Sequence, residues 1–393
     1  MIDIIIPAYK GFSSTRRCIA SVLANPQRTP FHLVVIDDAG PEPEIASYLD
    51  ALADEGKIEL LRNESNLGFV RTVNRGMQLH PDRDVVLLNS DTEVANDWLD
   101  RLVAAASGES VATATPFSNN ATICSYPFEG WQGNLPGTLG LAELDRVFAE
   151  TNAGSTVFIP TAVGFCMFIR RACIEQVGLF DAERFGRGYG EENDFCMRAG
   201  KAGWRHVLAA DVYVFHEGGV SFSHERFALM KAAGVALVAV HPEYNRIVHE
   251  WILADPARKF RDAIDLARMK HGAEEGAALL RERSDERARL IRGLLELGKV
   301  AAERDSTIGQ LNYALEHASD QLVDRDRTIS DLVRERAREL AESQAEIESL
   351  RAGLKHAEML AFTRMEELDR IRAFWPWRAV NALMRRISRD TPS

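Results

Sequence analysis

Three polar residues, Asn89-Ser90-Asp91, directly follow an apolar run at residues 85–88. The run is too short for a helix of its own and is typical of a buried parallel strand. Open α/β sheets bind ligands just beyond the carboxyl ends of their strands, where a carboxylate can hold a divalent cation against a phosphorylated ligand. The alternative is that one of the three residues caps the helix predicted around residues 96–106. This stretch alone leaves both interpretations open.

Two more polar groups lie at the ends of predicted strands. Asp37-Asp38 follows the strand predicted at residues 31–36, and His216 follows the strand predicted at residues 211–215. The carboxyl ends of parallel strands share one edge of a sheet, so these carboxylates and Asp91 can line one pocket. A histidine at such a position can bind a metal ion or a phosphate, and a purely structural role is the alternative.

A third group, Glu191-Glu192-Asn193-Asp194, opens the helix predicted at residues 195–202 and follows a glycine-rich loop at residues 185–190. Carboxylates in a first helical turn interact favourably with the helix dipole, so helix capping is the simpler interpretation. Three acidic residues in four positions after such a loop also suit a catalytic base.

Predicted strands and helices alternate along the first part of the chain. The strands lie at residues 3–7, 31–36, 57–61 and 85–88, and helices at residues 44–53 and 70–79 separate the later ones. This alternation predicts an α/β fold with a parallel sheet and right-handed crossovers. Residues 118–156 are rich in Asn, Gly and Pro and are predicted to be a long loop with one helix near residues 141–149. Long loops in compact domains are usually functional or disordered.

The composition excludes several classes of protein. The 393 residues carry a formal net charge of −11, which argues against a nucleic-acid-binding protein. The 5 cysteines include no CxxC pair and indicate reduced thiols in a cytosol rather than a disulfide framework. Met1-Ile2-Asp3 leads directly into a predicted strand, so we expect no signal peptide, and no apolar run of about 20 residues predicts a membrane span.

The composition changes near Asp255-Pro256, where we predict the end of a globular domain of residues 1–254. Within residues 255–372, apolar residues such as Ile308, Leu311 and Leu315 follow a heptad spacing, which predicts a coiled coil and a homodimer. A long solvated helix is the alternative. Residues 373–393 combine an apolar face with several arginines, which fits an anionic membrane surface and a docking site on another protein equally well.

Six short motifs occur in one order along the first 251 residues. They are Ile6-Pro7-Ala8-Tyr9, Val35-Ile36-Asp37-Asp38, Asn66-Leu67-Gly68-Phe69, Leu88-Asn89-Ser90-Asp91, Gly190-Glu191-Glu192-Asn193-Asp194-Phe195 and Val214-Phe215-His216. Each motif alone is weak, but the ordered set resembles the family-2 inverting glycosyltransferases, including rhamnosyl- and galactosyltransferase-like members. The resemblance implies a GT-A fold, which is a Rossmann-like nucleotide-sugar-binding sheet flanked by helices; the predicted coiled coil follows it.

The resemblance also implies an activity. This is the inverting, non-processive transfer of a hexosyl or deoxyhexosyl group from a nucleotide-diphosphate sugar to a hydroxyl of a glycan or lipid-linked acceptor, with Mn²⁺ or Mg²⁺ as cofactor. The usual setting of the family is bacterial surface polysaccharide synthesis, which is an analogy at the level of the fold. We therefore expect a cytoplasmic protein, with residues 373–393 as a candidate peripheral contact on the inner face of the cell membrane.

Roles for individual residues follow from the same resemblance. Nucleotide-sugar contacts are implied at the strand ends and in the loop after the third strand, for Pro7, Ala8, Tyr9, Asp37, Asp38, Asn66, Gly68, Arg71, Asn89 and Ser90. Asp91, in a DxD-like motif, and His216 are implied to bind the metal. Glu192, the second member of the acidic pair with Glu191, is implied to be the catalytic base, and Asp194 is the alternative.

Some residues depart from the family pattern. Asn89 cannot carry a charge, so metal binding would rest on Asp91, with Glu93 as a helper, and Glu192 stands where aspartate is usual. No QxxRW-like motif follows, so a processive synthase is not expected. Two alternatives therefore stay open: a degenerate sugar-nucleotide-binding scaffold assembled through the coiled coil, and a nucleotidyltransferase, although Tyr9-Lys10-Gly11-Phe12-Ser13 is a poor match to the phosphate loop of the latter.

Overall fold

The computed structural model describes residues 1–186, 188–218 and 226–302, together with Ser319 and Arg327. Its strands are β1 Ile2–Ala8, β2 Phe31–Asp37, β3 Glu59–Arg62, β4 Asp84–Leu88, β5 Thr92–Glu93, β6 Val111–Phe117, β7 Thr156–Ile159, β8 Cys166–Ile169, β9 Arg205–Tyr213 and β10 Phe215–His216. Its α-helices are α1 Phe12–Ala24, α2 Pro43–Asp54, α3 Phe69–Leu79, α4 Trp98–Ala105, α5 Leu141–Thr151, α6 Arg171–Val177, α7 Ala182–Phe185, α8 Glu191–Lys201, α9 Arg226–Val240, α10 Tyr244–Ala254, α11 Arg258–Arg268 and α12 Ala273–Ala302.

The described residues form an 8-stranded sheet in the order β3-β2-β1-β4-β8-β6-β9-β7. β1 pairs in parallel with β2 and β4, β2 with β3, and β6 with β9. β8 runs antiparallel to both β4 and β6, and β7 runs antiparallel to β9. The α/β class is confirmed, but the prediction of a purely parallel sheet is wrong. A strand buried on both faces is a plain apolar run, which does not reveal the direction of the strand.

Helices cover both faces of the sheet. Trp98 of α4 and Phe148 of α5 pack in the core on one face, and Val73 of α3 and Phe195 of α8 pack in the core on the other. All the cysteines are buried free thiols. Because helices pack on both faces of the sheet, the strands are rigid and hold the side chains at their ends in fixed positions.

The loops after β1 and β2 lie against each other at the carboxyl edge of the sheet. The backbone N–H of Asp38 donates to the carbonyl of Ala8 at 2.9 Å. Gly40 packs so closely on Tyr9 that an added Cβ would lie 2.1 Å from the Tyr9 carbonyl oxygen. Only glycine leaves room for this approach, which brings the Pro7-Ala8-Tyr9 and Asp37-Asp38 motifs side by side.

Helix α4 begins at Trp98, with Asp97 in the position before it. Asn89-Ser90-Asp91 instead connects β4 to β5. The backbone N–H of Asn89 donates to the carbonyl of Phe165 at 2.8 Å, just beyond the paired residues of β4 and β8. The helix-cap alternative for these three residues is therefore wrong.

Residues 1–289 form one compact unit, and a second unit begins at Leu290. The change in composition near Asp255-Pro256 thus lies inside the first unit, which continues through α11 into α12. No helix within the described ranges is long and apolar enough to cross a membrane. The predicted coiled-coil positions from Ile308 onward and the segment 373–393 lie outside the described residues.

Candidate active site

Asp91 and His216 meet through the short antiparallel ladder of β5 and β10. The ladder opposes His216 to Thr92, and the backbone N–H of Glu217 donates to the carbonyl of Asp91 at 2.9 Å. Asp91 Oδ1 lies 3.4 Å from His216 Nε2, and the two side chains are only 15% and 14% exposed. Two residues far apart in the chain, predicted to bind one metal ion, are therefore adjacent in the structure.

The imidazole ring of His216 is fixed in orientation. Its Nδ1 lies 2.7 Å from the carbonyl oxygen of Asn120. A carbonyl can only accept, so Nδ1 carries the proton and Nε2 of the neutral ring offers a lone pair beside Asp91. Asn119 holds the histidine backbone at both ends, at 2.8 and 2.9 Å, and Phe165 stacks on the ring at 5.1 Å between centroids. Metal-ligating histidines are typically oriented in this way.

Asn119 and Asn120 belong to the candidate site, although neither is among the residues predicted from the motifs. Asn119 and Asn120 follow β6 just as Asn89-Ser90-Asp91 follows β4. The same signal, polar residues directly after an apolar run, identifies both groups. Phe165 gives no comparable signal, because its sequence context is that of an ordinary core residue.

The Asp91 carboxylate is suited to a cation. Burial acts to raise its pKa, but when the His216 ring is protonated its hydrogen bond and charge, with the backbone N–H of Gly218, outweigh burial and hold the pKa of Asp91 below its ordinary value. The side chain is therefore an anion at neutral pH. A carboxylate oxygen and an imidazole nitrogen 3.4 Å apart form a donor pair that fits a divalent ion such as Mn²⁺.

Arg17 on α1 ties the two strands of the ladder together. Its guanidinium donates to Glu93 Oε1 at 2.7 Å and to Glu217 Oε2 at 2.6 Å. The Ser14 hydroxyl donates to the same oxygen of Glu217 at 2.6 Å. Because Glu93 is engaged in this ion pair, the expectation that it helps Asp91 to hold a metal is not supported.

Asp37 lies beside the end of β1, where the sheet register pairs it with Ala8. Its Oδ1 accepts from the backbone N–H of Gly40 at 3.2 Å, and its Oδ2 lies 3.5 Å from Arg62 Nε. The side chain is 10% exposed. This carboxylate is buried yet only loosely paired, as expected of a group that can take a further partner.

Asp38 has a different role. Its Oδ1 accepts from Asn63 Nδ2 at 2.7 Å and from the backbone N–H of Leu67 at 2.8 Å, and its Oδ2 accepts from the backbone N–H of Gly68 at 3.0 Å. Both oxygens are used inside the protein. Asp38 therefore orders residues 63–68, and this geometry argues against the predicted direct contact with a nucleotide.

The loop that Asp38 orders carries the other predicted nucleotide contacts. Asn66 lies within it and is partly buried. Gly68 has φ 79°, a left-handed conformation that favours glycine, and immediately precedes α3. Arg71 is exposed on the first turn of α3. The amide of Asn66 and the guanidinium of Arg71 therefore lie close in sequence to the backbone N–H groups that Asp38 holds.

Glu191 and Glu192 occupy the first turn of α8, as predicted. One oxygen of each carboxylate, Oε2, is buried without a hydrogen-bond partner among the described residues. A Cβ at Gly164 would lie 3.9 Å from Glu192 Cβ and Cγ and 4.0 Å from its Cδ, so the glycine leaves space beside this carboxylate. Gly164 precedes Phe165, so one short segment lies beside Glu192 and stacks on the ring of His216.

Both glutamates hold their protons more tightly than free carboxylic acids. Burial, and then the charge of Glu192, raises the pKa of Glu191 well above its ordinary value. Burial also raises the pKa of Glu192, against backbone N–H groups that lower it. A carboxylate with a raised pKa accepts a proton more readily, which suits a general base.

The structure argues against Asp194 as the base. Its Oδ2 accepts from Arg198 Nε at 2.8 Å, and its Oδ1 lies 2.8 Å from His241 Nε2. His241 in turn contacts Lys201 through Nδ1 at 2.9 Å. Asp194 is 1% exposed, so both oxygens serve a buried ion network that links α8 to the end of α9.

Replacing Glu191 with glutamine is expected to stabilise the fold at neutral pH. The folded-state pKa of Glu191 is raised, so ionisation of this group weakens the fold progressively as pH rises above about 4.3, the ordinary glutamate value. Glu191→Gln removes that penalty, on the order of 1 kcal/mol. Thermal unfolding should show a gain at pH 8 and little change at pH 4. The exposed Glu150→Gln is the control, and an equal shift at both pH values would contradict the prediction.

Another group of potential metal ligands, Asp3, His32 and His80, lies at the amino ends of β1 and β2. Arg83 Nη1 is 3.0 Å from Asp3 Oδ1 and 3.2 Å from Nδ1 of each histidine. The guanidinium already supplies the positive charge that these groups share. This cluster is therefore a structural ion network at the end of the sheet opposite the acidic strand ends.

A mixed α/β sheet that gathers acidic residues and a histidine at the carboxyl ends of its parallel strands has the architecture of the GT-A class. The family model of glycosyl transferase family 2 matches residues 3–178. This match supports the family that the six motifs indicate, and the first four of those motifs lie within the matched residues.

Similarity to known proteins extends over part of their length. The chain is 22% identical over 269 residues to N-acetylgalactosaminyltransferase 7 of Drosophila melanogaster, covering 63% of this chain and 44% of that protein. It is 22% identical over 218 residues to glycosyltransferase AglE of Haloferax volcanii, covering 55% of this chain and 66% of that protein. A solved structure of GalNAc-T7 with UDP, GalNAc and Mn²⁺ shows 20% identity and a TM-score of 0.47, covering 67% of this chain and 54% of that chain.

Proposed function

We propose that this protein is an inverting, metal-dependent, non-processive glycosyltransferase. It transfers a sugar from a nucleotide-diphosphate sugar to a hydroxyl of a glycan or lipid-linked acceptor. The observation that carries the proposal is the Asp91–His216 pair, 3.4 Å apart at the carboxyl end of the sheet, with Glu192 beside Gly164, the neighbour of the Phe165 that stacks on the His216 ring. The match of residues 3–178 to the family model supports the same activity.

Asp91 and His216 would hold the divalent cation, Mn²⁺ or Mg²⁺, through Oδ1 and Nε2. When bound, such an ion neutralises the charge that develops on the leaving diphosphate. The protein orients His216: the carbonyl of Asn120 accepts from Nδ1 of the ring, and Asn119 holds the histidine backbone. The low pKa of Asp91 keeps its negative charge available at neutral pH.

Glu192 would act as the catalytic base. An acceptor hydroxyl must lose its proton as it attacks the sugar, and a carboxylate within hydrogen-bond reach can accept that proton. Glu192 offers a buried oxygen that has no partner among the described residues, and Gly164 leaves room beside it. A base acting on the face of the sugar opposite the leaving diphosphate gives one in-line displacement, which inverts the anomeric configuration.

The donor nucleotide would lie along the ends of β1, β2 and β4. Pro7, Ala8 and Tyr9 would line the nucleoside end, and the loosely paired Asp37 would accept hydrogen bonds from base or ribose. Asp38 would act indirectly, by ordering the loop that carries Asn66 and Gly68. Arg71 would reach the phosphates, beside Asn89 and Ser90.

The setting we propose is bacterial surface polysaccharide synthesis in the cytoplasm. The chain would form a homodimer through the heptad pattern that follows Ile308, and residues 373–393 would contact the inner face of the membrane peripherally. The negative net charge of −11 argues against a nucleic-acid partner.

The test is a turnover assay on the purified full chain. The protein is incubated with Mn²⁺ or Mg²⁺ and a panel of nucleotide-diphosphate sugars, and release of nucleoside diphosphate and the anomeric configuration of the product are measured. Release with inversion supports the proposal. Donor binding without any turnover would favour the scaffold alternative. Release of pyrophosphate from a nucleoside triphosphate and a sugar phosphate would show a nucleotidyltransferase instead.

A further inference from the structure

Helices α11 and α12 form a hairpin that packs on the long segment between β6 and α5. The hairpin lies beyond the composition change near Asp255-Pro256, yet it belongs to the first compact unit as far as Arg289. The segment that it meets, residues 118–138, forms no strand of the 8-stranded sheet. The backbone of this segment therefore depends on side chains from elsewhere for its position.

The centre of the contact is Arg268, the last residue of α11, which is 0% exposed. Its Nη1 donates to Glu282 Oε2 at 2.7 Å, and its Nη2 donates to Glu282 Oε1 at 2.9 Å, so the pair is bidentate. Its Nε donates to Glu275 on the first turns of α12. Its Nη1 also donates to the Tyr126 hydroxyl at 2.8 Å.

Glu275 and Glu282, which Arg268 holds, also bind the backbone of the loop. Glu275 Oε2 accepts from the backbone N–H and the hydroxyl of Thr138, at 2.6 and 2.7 Å. Glu282 Oε1 accepts from the backbone N–H of Gly137 at 2.6 Å. Gly137 has φ 76°, and an added Cβ would lie 2.2 Å from Glu275 Oε1, so the loop backbone sits directly on the ion cluster.

The other side of the same loop reaches the proposed metal site. The side-chain amide of Asn119 donates to the carbonyl of Gly133 at 2.6 Å and to the carbonyl of His216 at 2.9 Å. Asn120 pairs with Gln132 in an isolated antiparallel β-bridge, and its carbonyl accepts a hydrogen bond from Nδ1 of His216. One loop is therefore held by the hairpin at residues 126–138 and holds the histidine at residues 119–120.

A buried ion cluster is a costly way to gain stability, because desolvation of the charges offsets most of their attraction. Apolar side chains of similar volume would pack α11 on α12 equally well. What apolar side chains cannot do is accept directed hydrogen bonds from the N–H groups of Gly137 and Thr138. The cluster is therefore better explained by the placement of the loop than by the stability of the hairpin.

We propose that Arg268 is a positioning residue for the metal site. Through Glu275 and Glu282 it fixes residues 126–138, and through Asn119 and Asn120 the loop fixes the imidazole of His216. The link to metal affinity rests on the proposed function, whereas the ordering of the loop does not. The hairpin of α11 and α12 is then part of the catalytic unit rather than a linker.

The test compares Arg268→Met with Ile264→Ala in the full chain. Ile264 is also buried on α11 but belongs to the apolar core, so Ile264→Ala weakens the packing of the same helix while leaving the hydrogen bonds of Arg268, Glu275 and Glu282 in place. Mn²⁺ alone is titrated by calorimetry at a temperature where every variant is folded. We expect Arg268→Met to bind Mn²⁺ about tenfold more weakly than wild type and Ile264→Ala to bind it unchanged.

Hydrogen exchange gives a readout that does not depend on the metal. Arg268→Met should speed exchange at residues 126–138 and at the amide of His216, and Ile264→Ala should not. Should Arg268→Met fail to fold, Thr138→Val, which removes the hydroxyl donor of an exposed residue, should give the same pattern more weakly, with Mn²⁺ binding about threefold weaker.

The outcomes separate the two proposals. Unchanged exchange at the loop and at His216 in a folded variant would overturn the positioning role, whatever the metal does. Wild-type protein that binds no Mn²⁺ would overturn the metal-dependent function, and the exchange data would still decide the positioning role. If Arg268→Met and Ile264→Ala weaken Mn²⁺ binding equally, Arg268 only stabilises the fold and does not position the site.

Discussion

Asp91→Asn is expected to lower metal-dependent turnover of the donor by about a thousandfold or more, which corresponds to ~4 kcal/mol of transition-state stabilisation. Asparagine keeps the size of the side chain but loses the charge that the low pKa of Asp91 maintains at neutral pH. The measurement is release of nucleoside diphosphate as a function of Mn²⁺ concentration. We expect both a lower maximal rate and a weaker apparent affinity for Mn²⁺.

Asp97→Asn is the matched control for this prediction. Asp97 is 51% exposed, pairs with Arg101 and lies a few residues further along the chain, so the same chemical change is made outside the site. Its turnover and Mn²⁺ dependence should equal those of wild type. If Asp91→Asn retains full activity with a normal Mn²⁺ response, the assignment of the metal site is wrong.

Glu192→Gln is expected to reduce sugar transfer by a factor of about 10²–10⁴, the range for loss of a general base. Binding of donor and Mn²⁺ should be unchanged, because Asp91 and His216 are untouched. Transfer should also depend on pH in a specific direction. The base must be deprotonated, and burial raises the pKa of Glu192, so the wild-type rate should rise with pH through a range above the ordinary glutamate value of about 4.3.

Two further variants decide whether Glu192 is the base. The exposed Glu183→Gln makes the same chemical change on the neighbouring helix α7 and should leave transfer intact. Asp194→Asn should lower thermal stability, because it leaves Arg198 without its buried partner. Loss of transfer in folded Asp194→Asn, with transfer retained in Glu192→Gln, would move the base to Asp194.

The strand ends are the part of the site that sequence predicts well. A short apolar run followed by polar residues has one simple structural meaning, so Asp37 and Asp91 are placed correctly at one edge of the sheet. The direction of β8 could not be predicted, because a strand buried on both faces carries no mark of its orientation. The boundary predicted near Asp255-Pro256 rests on a change in composition. Composition indicates how much of a segment is exposed to water, but not which elements pack together.

The division of roles among neighbouring acidic residues is beyond sequence reasoning. Asp37 and Asp38 are adjacent and chemically identical, yet only Asp38 has both of its oxygens bonded to residues 63–68. Glu192 and Asp194 share one helical turn, yet only Asp194 faces Arg198 and His241. These differences depend on where partners from distant segments arrive, and that information is not local.

The ladder of β5 and β10 has a consequence for how the proposed cation site forms. Asp91 belongs to an early part of the polypeptide and His216 to a late one, and only the paired strands bring them together. An unfolded or half-folded chain lacks the pair and therefore the proposed cation site. Added Mn²⁺ should then act as a ligand of the native state alone, drawing the folding equilibrium toward the completed structure.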